Sequence, residues 1–366
     1  MNGKPRGRAC ETRATTAKAA VIKHLWPNRA LDKGSTRVEE SKGLMLTWND
    51  LTGKTNDHIV PIITDNVFKS SPVFTRLRKK RRFAFPGGLT IRHNIMYAPL
   101  KGGFFQRGQA FDTSAVQTDT ALQFNLKYAY VNVTLYGVDQ VLNRGAEAAM
   151  SYVSSKMVNA SGTMAQILGT SVFGDGQGTL NSTLELDGLS AAVDNGVNYA
   201  TYGGITRSDI SSTANTGINS YYAAPSAFNL SQIQTAFGAS WFGQEKPDML
   251  PTTQPVWDAF WNKLQPQQRF NDETSDVHVG FKSFNWNGAQ VVVDQYLSVL
   301  GGTYTMFGLN TNYIYLYVSD VPKYQFGFTG WKEAQNTDDV AGQYMFGGNM
   351  VVAASRLMFR EAFTAL

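Results

Sequence analysis

The stretch 121-ALQFNLKYAYVNVTLYGVDQVL-142, continued by 143-NRGAEAAMSYVSSKMVNASGTMAQILGTSVFG-174, decides the fold. Its first part has period two. Leu122, Phe124, Leu126, Tyr128 and Tyr130 alternate with Gln123, Asn125, Lys127 and Ala129. That spacing predicts a long β-strand with one apolar face. The phase then slips by one, to Val131, Val133 and Leu135, which predicts a bulge near Tyr130-Val131. The second part changes period. Leu142, Ala146, Ala149, Val153, Met157, Ala160, Met164 and Leu168 recur at steps of three and four. This predicts a helix over 139–173, with Asp139 as N-cap and Gly174 as stop. Fully formed, it would span roughly 50 Å at about 1.5 Å per residue. Gly145 and Gly162 each cost about 1 kcal/mol against Ala, so a kink is expected near Ser161-Gly162.

Upstream, Leu89, Ile91, Ile95 and Tyr97 alternate as a partner strand. Pro99, Gly102, Gly103 and Gly108 make the connection turn-rich, with the tip at Gly102-Gly103. The two arms read as one long hairpin over 83–137. A two-stranded ribbon is marginal in water, so it must lie on its own body or on another subunit.

Downstream, 174–228 is rich in turns. Two helices flank a short strand in 229–265, strand-like runs fill 277–318, and another surrounds Met350-Val351-Val352. The class is α+β. No repeat of 20–50 residues is visible.

Charged residues make up 17% of the 366 and aromatics 12%, which leaves apolar surface to be hidden at an interface. The net charge of +5 is uneven. Residues 1–43 carry ten Lys/Arg against four Asp/Glu. A second basic cluster holds Lys69, Arg76, Arg78, Lys79, Lys80, Arg81 and Arg82. Such patches attract phosphate backbones, though for 1–43 a solvated flank is the preferred reading. An apolar-rich frame begins at Leu44-Met45-Leu46, so 1–44 reads as a basic flexible extension that the mature protein need not contain. One cysteine, Cys10, excludes an intrachain disulfide. No apolar run of 18 predicts a membrane span, and the N-terminus does not read as a secretory signal.

Catalytic chemistry is not indicated. The four histidines, His24, His58, His93 and His278, lack zincin spacing. Gly169-Thr-Ser171-Val-Phe and Gly238-Ala-Ser240-Trp-Phe lack the last glycine of a nucleophile elbow. Gly174-Asp-Gly176-Gln-Gly178 has the wrong spacing for a dinucleotide loop and reads as a tight turn. No catalytic, cofactor or metal site is expected.

The order of these elements resembles the major capsid proteins of tailed bacteriophages, of Hong Kong 97-like fold. Local stretches carry the resemblance: Arg82-Phe-Ala-Phe-Pro-Gly-Gly-Leu89, the run from Leu189 to Gly203-Gly204-Ile205-Thr206-Arg207, and Lys246-Pro247-Asp248. Leu264-Gln-Pro-Gln-Gln-Arg-Phe270, Val291-Val-Val-Asp294 and Leu309-Asn-Thr-Asn-Tyr313 complete it. The resemblance covers roughly 45–366.

It implies an N-terminal arm over 45–82 and an extended β-hairpin loop over 83–137. It implies a peripheral domain from 138–228 and 325–366, including the spine helix 139–173, and an axial domain over 229–324. It also implies a non-enzymatic subunit that assembles with itself through hexamers and pentamers into an icosahedral shell in the bacterial host cytoplasm. Scaffold, portal and decoration proteins would be further partners. Lys101, Gly102, Gly103, Phe104 and Arg107 would form the intersubunit contact at the hairpin tip. Arg76, Arg78, Lys79, Lys80, Arg81 and Arg82 would face packaged double-stranded DNA. Gly203, Gly204, Ile205 and Arg207 would be a platform motif. Some relatives crosslink a hairpin lysine to a neighbour, and Lys101 has that position; a solubilising role at an exposed tip is preferred. Two alternatives stay open: a shell protein of an encapsulin-like cellular compartment, and a soluble enzyme with an unrecognised site.

Overall fold

The computed structural model describes residues 70–80, 82–85, 87–138, 146–180, 182–210, 217–264, 283–297, 302–333 and 337–366. These all belong to one compact unit, Leu46–Leu366. The expected extension 1–44 and most of the expected arm lie outside the described residues.

In chain order the helices are α1 (Pro72–Lys80), α2 (Ala146–Phe173), α3 (Leu189–Ala192), α4 (Arg207–Ile210), α5 (Leu230–Ala239) and α6 (Gln254–Leu264). The strands of the first half are β1 (Arg82–Phe85), β2 (Thr90–Met96), β3 (Asp119–Asn125), β4 (Lys127–Tyr136), β5 (Thr201–Tyr202), β6 (Ile205–Thr206), β7 (Tyr221–Tyr222) and β8 (Ser226–Ala227). Those of the second half are β9 (Met249–Thr252), β10 (Ser283–Trp286), β11 (Ala289–Val293), β12 (Tyr304–Gly308), β13 (Ile314–Ser319), β14 (Gln325–Phe328), β15 (Lys332–Glu333), β16 (Asp339–Val352) and β17 (Phe359–Ala365). The expected α+β class is observed.

Two sheets organise the chain. In the first, β16 is the axis: β13, β14 and β15 pair with it along one side and β4 along the other, while β1 extends the sheet beyond β13. In the second the order is β10-β11-β9-β12-β17-β7, with β8 also on β17. There are two apolar clusters, and the second sheet contributes to both, with Met249, Val292 and Phe307 in the first. The first cluster joins α1, the hairpin base, α2 and the strands of the first sheet. The second is aromatic and lies between the second sheet and α5 and α6.

α2 buries the stripe that its sequence predicts: Val153, Met157, Ala160, Met164 and Leu168 are all buried. Each large side chain among them contributes roughly 1.5–3 kcal/mol. The helix runs through Gly162 as one element. Asp139 and Gly145 lie outside the described residues. At its end Asp175 is buried and accepts from the Gln177, Thr179 and Leu180 amides at 3.0–3.2 Å, so 174–178 is the tight turn expected.

Three expectations change. The phase slip falls at Leu126-Lys127 and not at Tyr130-Val131. Along β4 the inward residues are Val133 and Leu135, with Ala129 and Val131 half-buried, while Tyr128 and Tyr130 face out. Tyrosine misled the reading because its ring counts as apolar while its hydroxyl tolerates solvent. The ribbon is also shorter than 83–137. Only β2 and β3 pair as a hairpin, from Thr90↔Asn125 to Met96↔Asp119, whereas β4 leaves it to pair with β16. Finally, the sheets do not part at 324/325. β13 belongs with β16, and β17 crosses into the second sheet beside β12. Partner choice between distant strands leaves no mark on local periodicity.

Candidate functional site

The hairpin divides into a held base and a free tip. At the base, Ile91, Ile95, Leu122 and Phe124 are buried. Of these, Leu122 and Phe124 lie on the small β5–β6 ribbon. Its turn residues Gly203 and Gly204 both have positive φ, +59° and +76°, the geometry of a two-residue hairpin turn that glycine meets without strain. A Cβ on Gly203 would meet Leu122 and Phe124 atoms at 2.8–2.9 Å. The Gln123 amide donates to the Gly203 carbonyl at 2.9 Å, and the Phe124 and Tyr202 rings meet edge-on at 5.2 Å. The motif 203–207 is therefore the bed of the hairpin base.

Arg207 anchors that bed from beneath. It is 1% exposed. Its Nε donates to the Tyr199 carbonyl at 3.0 Å, and Nη1 donates to the carbonyls of Asp194 (3.0 Å) and Ile218. Its Nη2 donates to those of Ala191 and Ala192 at 2.5 and 3.3 Å. The Asp194 carboxylate is engaged with the amides of Gly196, Asn198 and Tyr199. Burial lowers the Arg207 pKa from its ordinary value, and Asp194 opposes that effect. Ile205 is half-buried against the first core. Arg207 is thus structural: it gathers five carbonyls, from α3, Asp194, Tyr199 and Ile218.

The tip, 97–118, is different. Leu100, Phe105 and Phe111 are exposed, and Phe104 is fully so at 106%. Phe105 and Phe111 meet each other edge-on at 5.0 Å. Arg107 is exposed beside the turn at Gly108. Side chains added at Gly102 or Gly103 would meet nothing within 4 Å. Lys101 is engaged within its own loop: its Nζ pairs with Asp112 at 2.6 Å and also donates to the Ser114 hydroxyl. That ammonium, with the Ser114 hydroxyl and amide, holds the Asp112 carboxyl down to about 2. The loop is therefore strapped across its middle while its apolar residues point into solvent. Leu100, Phe104, Phe105 and Phe111 thus put a group of exposed apolar side chains on one loop.

The basic cluster does not stay together. Val73, Phe74 and Leu77 bury one face of α1 in the first core. Arg76 is drawn inward with them. Its Nη2 pairs with Asp248 at 2.8 Å and its Nε donates to Thr311 Oγ1 at 3.2 Å. Asp248 also accepts from the Thr311 amide and hydroxyl, at 2.9 and 2.6 Å. The expectation that Arg76 faces DNA is corrected: an arginine between buried Phe74 and Leu77 in the chain pairs with a half-buried carboxylate on the body. Ser71 adds a second tie, donating to buried Asp294, whose carboxyl burial pushes up and Ser71 opposes. Residues 72–80, within the expected N-terminal arm, are therefore a helix docked on the body. Arg78 and Lys79 are exposed. Arg81, and the side chains of Lys80 and Arg82, lie outside the described residues.

Sequence reasoning missed the aromatic outer face of β4. Tyr128 and Tyr130 are exposed, and Tyr128 meets Tyr324 at 5.2 Å. Beside them a groove runs between Tyr128, Tyr130, Ile167 and Leu184. Ile167 and Leu184 are themselves exposed, and their isolation in the sequence gave no periodic signal. Among the described residues no cluster of three or more His, Cys, Asp or Glu is arranged to hold a metal ion, and no helix is long and apolar enough to cross a membrane.

No protein-family model and no curated protein matches the chain. Solved structures do match. The cyanophage A-1(L) capsid asymmetric unit superposes with a TM-score of 0.57 at 13% identity, over 85% of this chain and 94% of that one. The capsid of a native GTA particle superposes with a TM-score of 0.54 at 9% identity, over 96% of this chain and 100% of that one. The holo-SrpI encapsulin complex of Synechococcus elongatus PCC 7942 gives 0.51 at 8% identity, over 80% and 87%. At these identities the likeness is one of fold. The chain has the fold of phage major capsid proteins, a fold that this encapsulin also carries.

Proposed function

We propose that this chain is the structural subunit of a Hong Kong 97-like icosahedral shell, assembling with itself through hexamers and pentamers to enclose phage DNA. The observation that carries the reading is the hairpin tip. Its base is cemented to the body, yet at its apolar end Phe104 is fully exposed, and Phe105 and Phe111, which meet each other edge-on, stay 65% and 66% exposed. A second copy is the natural cover, because a shell presents each subunit with identical neighbours. Arg78, Lys79 and the adjoining Lys80, Arg81 and Arg82 are the residues proposed to meet DNA, by non-specific contact with its phosphates. Scaffold, portal and decoration proteins are the further partners the reading implies, and the virion assembled in the bacterial cytoplasm is its setting. No enzymatic role is proposed.

A second reading is favoured by the encapsulin match: a cellular compartment loaded with protein. Electron microscopy of the full chain, expressed alone and with candidate scaffold protein, tests both. Closed shells of uniform diameter are expected. Particles filled with nuclease-protected DNA in infected cells support the first reading, and particles filled with protein support the second. A monomer under every assembly condition defeats both.

A further inference from the structure

β17 reads Phe359-Arg360-Glu361-Ala362-Phe363. Alternate residues of a strand share a face, so Glu361 stands between Phe359 and Phe363. That face is the aromatic core of the second sheet, with Phe237 of α5, Phe260 of α6 and, directly across the ladder, Met306 of β12. Glu361 is 0% exposed. Its Oε2 accepts from Gln232 Nε2 of α5 at 3.0 Å, and Gln232 Oε1 accepts from the Ser226 hydroxyl at 2.7 Å. Its Oε1 is buried with no hydrogen-bond partner. No ion pair reaches it among the described residues. Arg360 points to the other face, over the Tyr222 and Phe307 rings at 5.5 and 5.7 Å.

The surrounding elements offer no counter-charge. α5, β8, β9, β10 and β11 contain no acid or base. On α6, Asp258 and Lys263 are exposed on the outer side. β12 contributes only Tyr304 as a titratable group. Tyr221 of β7 feels Glu361 directly: burial first, and then the nearby carboxylate, push its phenol up. A neutral carboxyl fits this core with one hydrogen bond unmade. An ionised one is a buried charge without compensation.

We propose that Glu361 is a proton-controlled latch: neutral, it holds α5 against the second sheet, and ionised, it loosens that contact. Burial raises its carboxyl from 4.5 to about 7, with the Gln232 bond opposing. The sign follows. The closed state binds the proton more tightly than the open one, so closure is strongest below about pH 4.5. It weakens as pH rises to about 7 and then levels off. α5 leads directly into the exposed Trp241 and Phe242, so its release changes how that aromatic corner is presented.

Hydrogen exchange of the full chain tests the latch by following amides of α5 at pH 5 and pH 7, corrected for intrinsic exchange. The opening equilibrium should rise roughly 40-fold across that interval in the natural protein. Glu361→Gln should make it flat. Gln232→Leu removes the bond that favours the charged form and should move the transition to higher pH; it carries the test if the first variant does not fold. An α5 pH dependence unchanged by both substitutions, or no pH dependence in the natural protein, overturns the proposal.

Discussion

Arg207 shows how much one buried side chain can organise. Five carbonyls converge on its guanidinium from the turns at 191–199 and from Ile218. Arg207→Met would take that donor from all five, although the Asp194 carbonyl keeps the Ser220 amide and hydroxyl, a loss of about 3–5 kcal/mol. A urea midpoint on unassembled protein should fall accordingly, and an unchanged midpoint would show the carbonyls to be rescued by water. Asp112 provides a second test at this scale. Its pKa, about 2, lies below the ordinary carboxylate value because Lys101 and Ser114 favour the charged form. The strap is therefore complete above about pH 4 and is lost as pH falls through about 2. An NMR titration of Asp112 should show that low midpoint, and Lys101→Met should return it toward 3.8.

Among the elements, the hairpin separates folding from assembly. Its base belongs to the first core, while Phe104 and Phe105 of its tip are exposed. Phe104→Ser with Phe105→Ser should leave the thermal midpoint of the monomer within about 1 °C, since surface changes away from packed features lie within about 0.5 kcal/mol. Shell yield by sedimentation should drop severely. Normal shells from the double variant would remove the tip from the assembly contact. α1 behaves in the opposite way. Its sequence reads as part of a basic arm, but Ser71 and Arg76 tie it to Asp294 and Asp248, more than 170 positions away.

For the whole molecule, the crossing of β17 from the C-terminus into the second sheet has a testable consequence. Phe359 and Phe363 are fully buried there, and the strand separates β12 from β7 and β8. Deleting 359–366 should leave the second sheet without the strand that joins β12 to β7 and β8, and the protein insoluble on expression. A soluble, cooperatively melting truncation would contradict the observed sheet order.

What the sequence by itself determined is what local periodicity can encode: the α+β class, the buried stripe of α2, the turn at Asp175, and the base and tip of the hairpin. Each rests on neighbours within a few positions, where the period of a helix or strand is visible. The tertiary structure alone decided which strand lies beside which, and so moved β4 out of the ribbon and β17 into the second sheet. It turned Arg76 inward, set the tyrosines of β4 outward, and placed Glu361 among phenylalanines. These outcomes depend on contacts between residues far apart in the chain. An arginine or a glutamate carries no local sign of whether its partner will be water, a distant carboxylate or an aromatic wall.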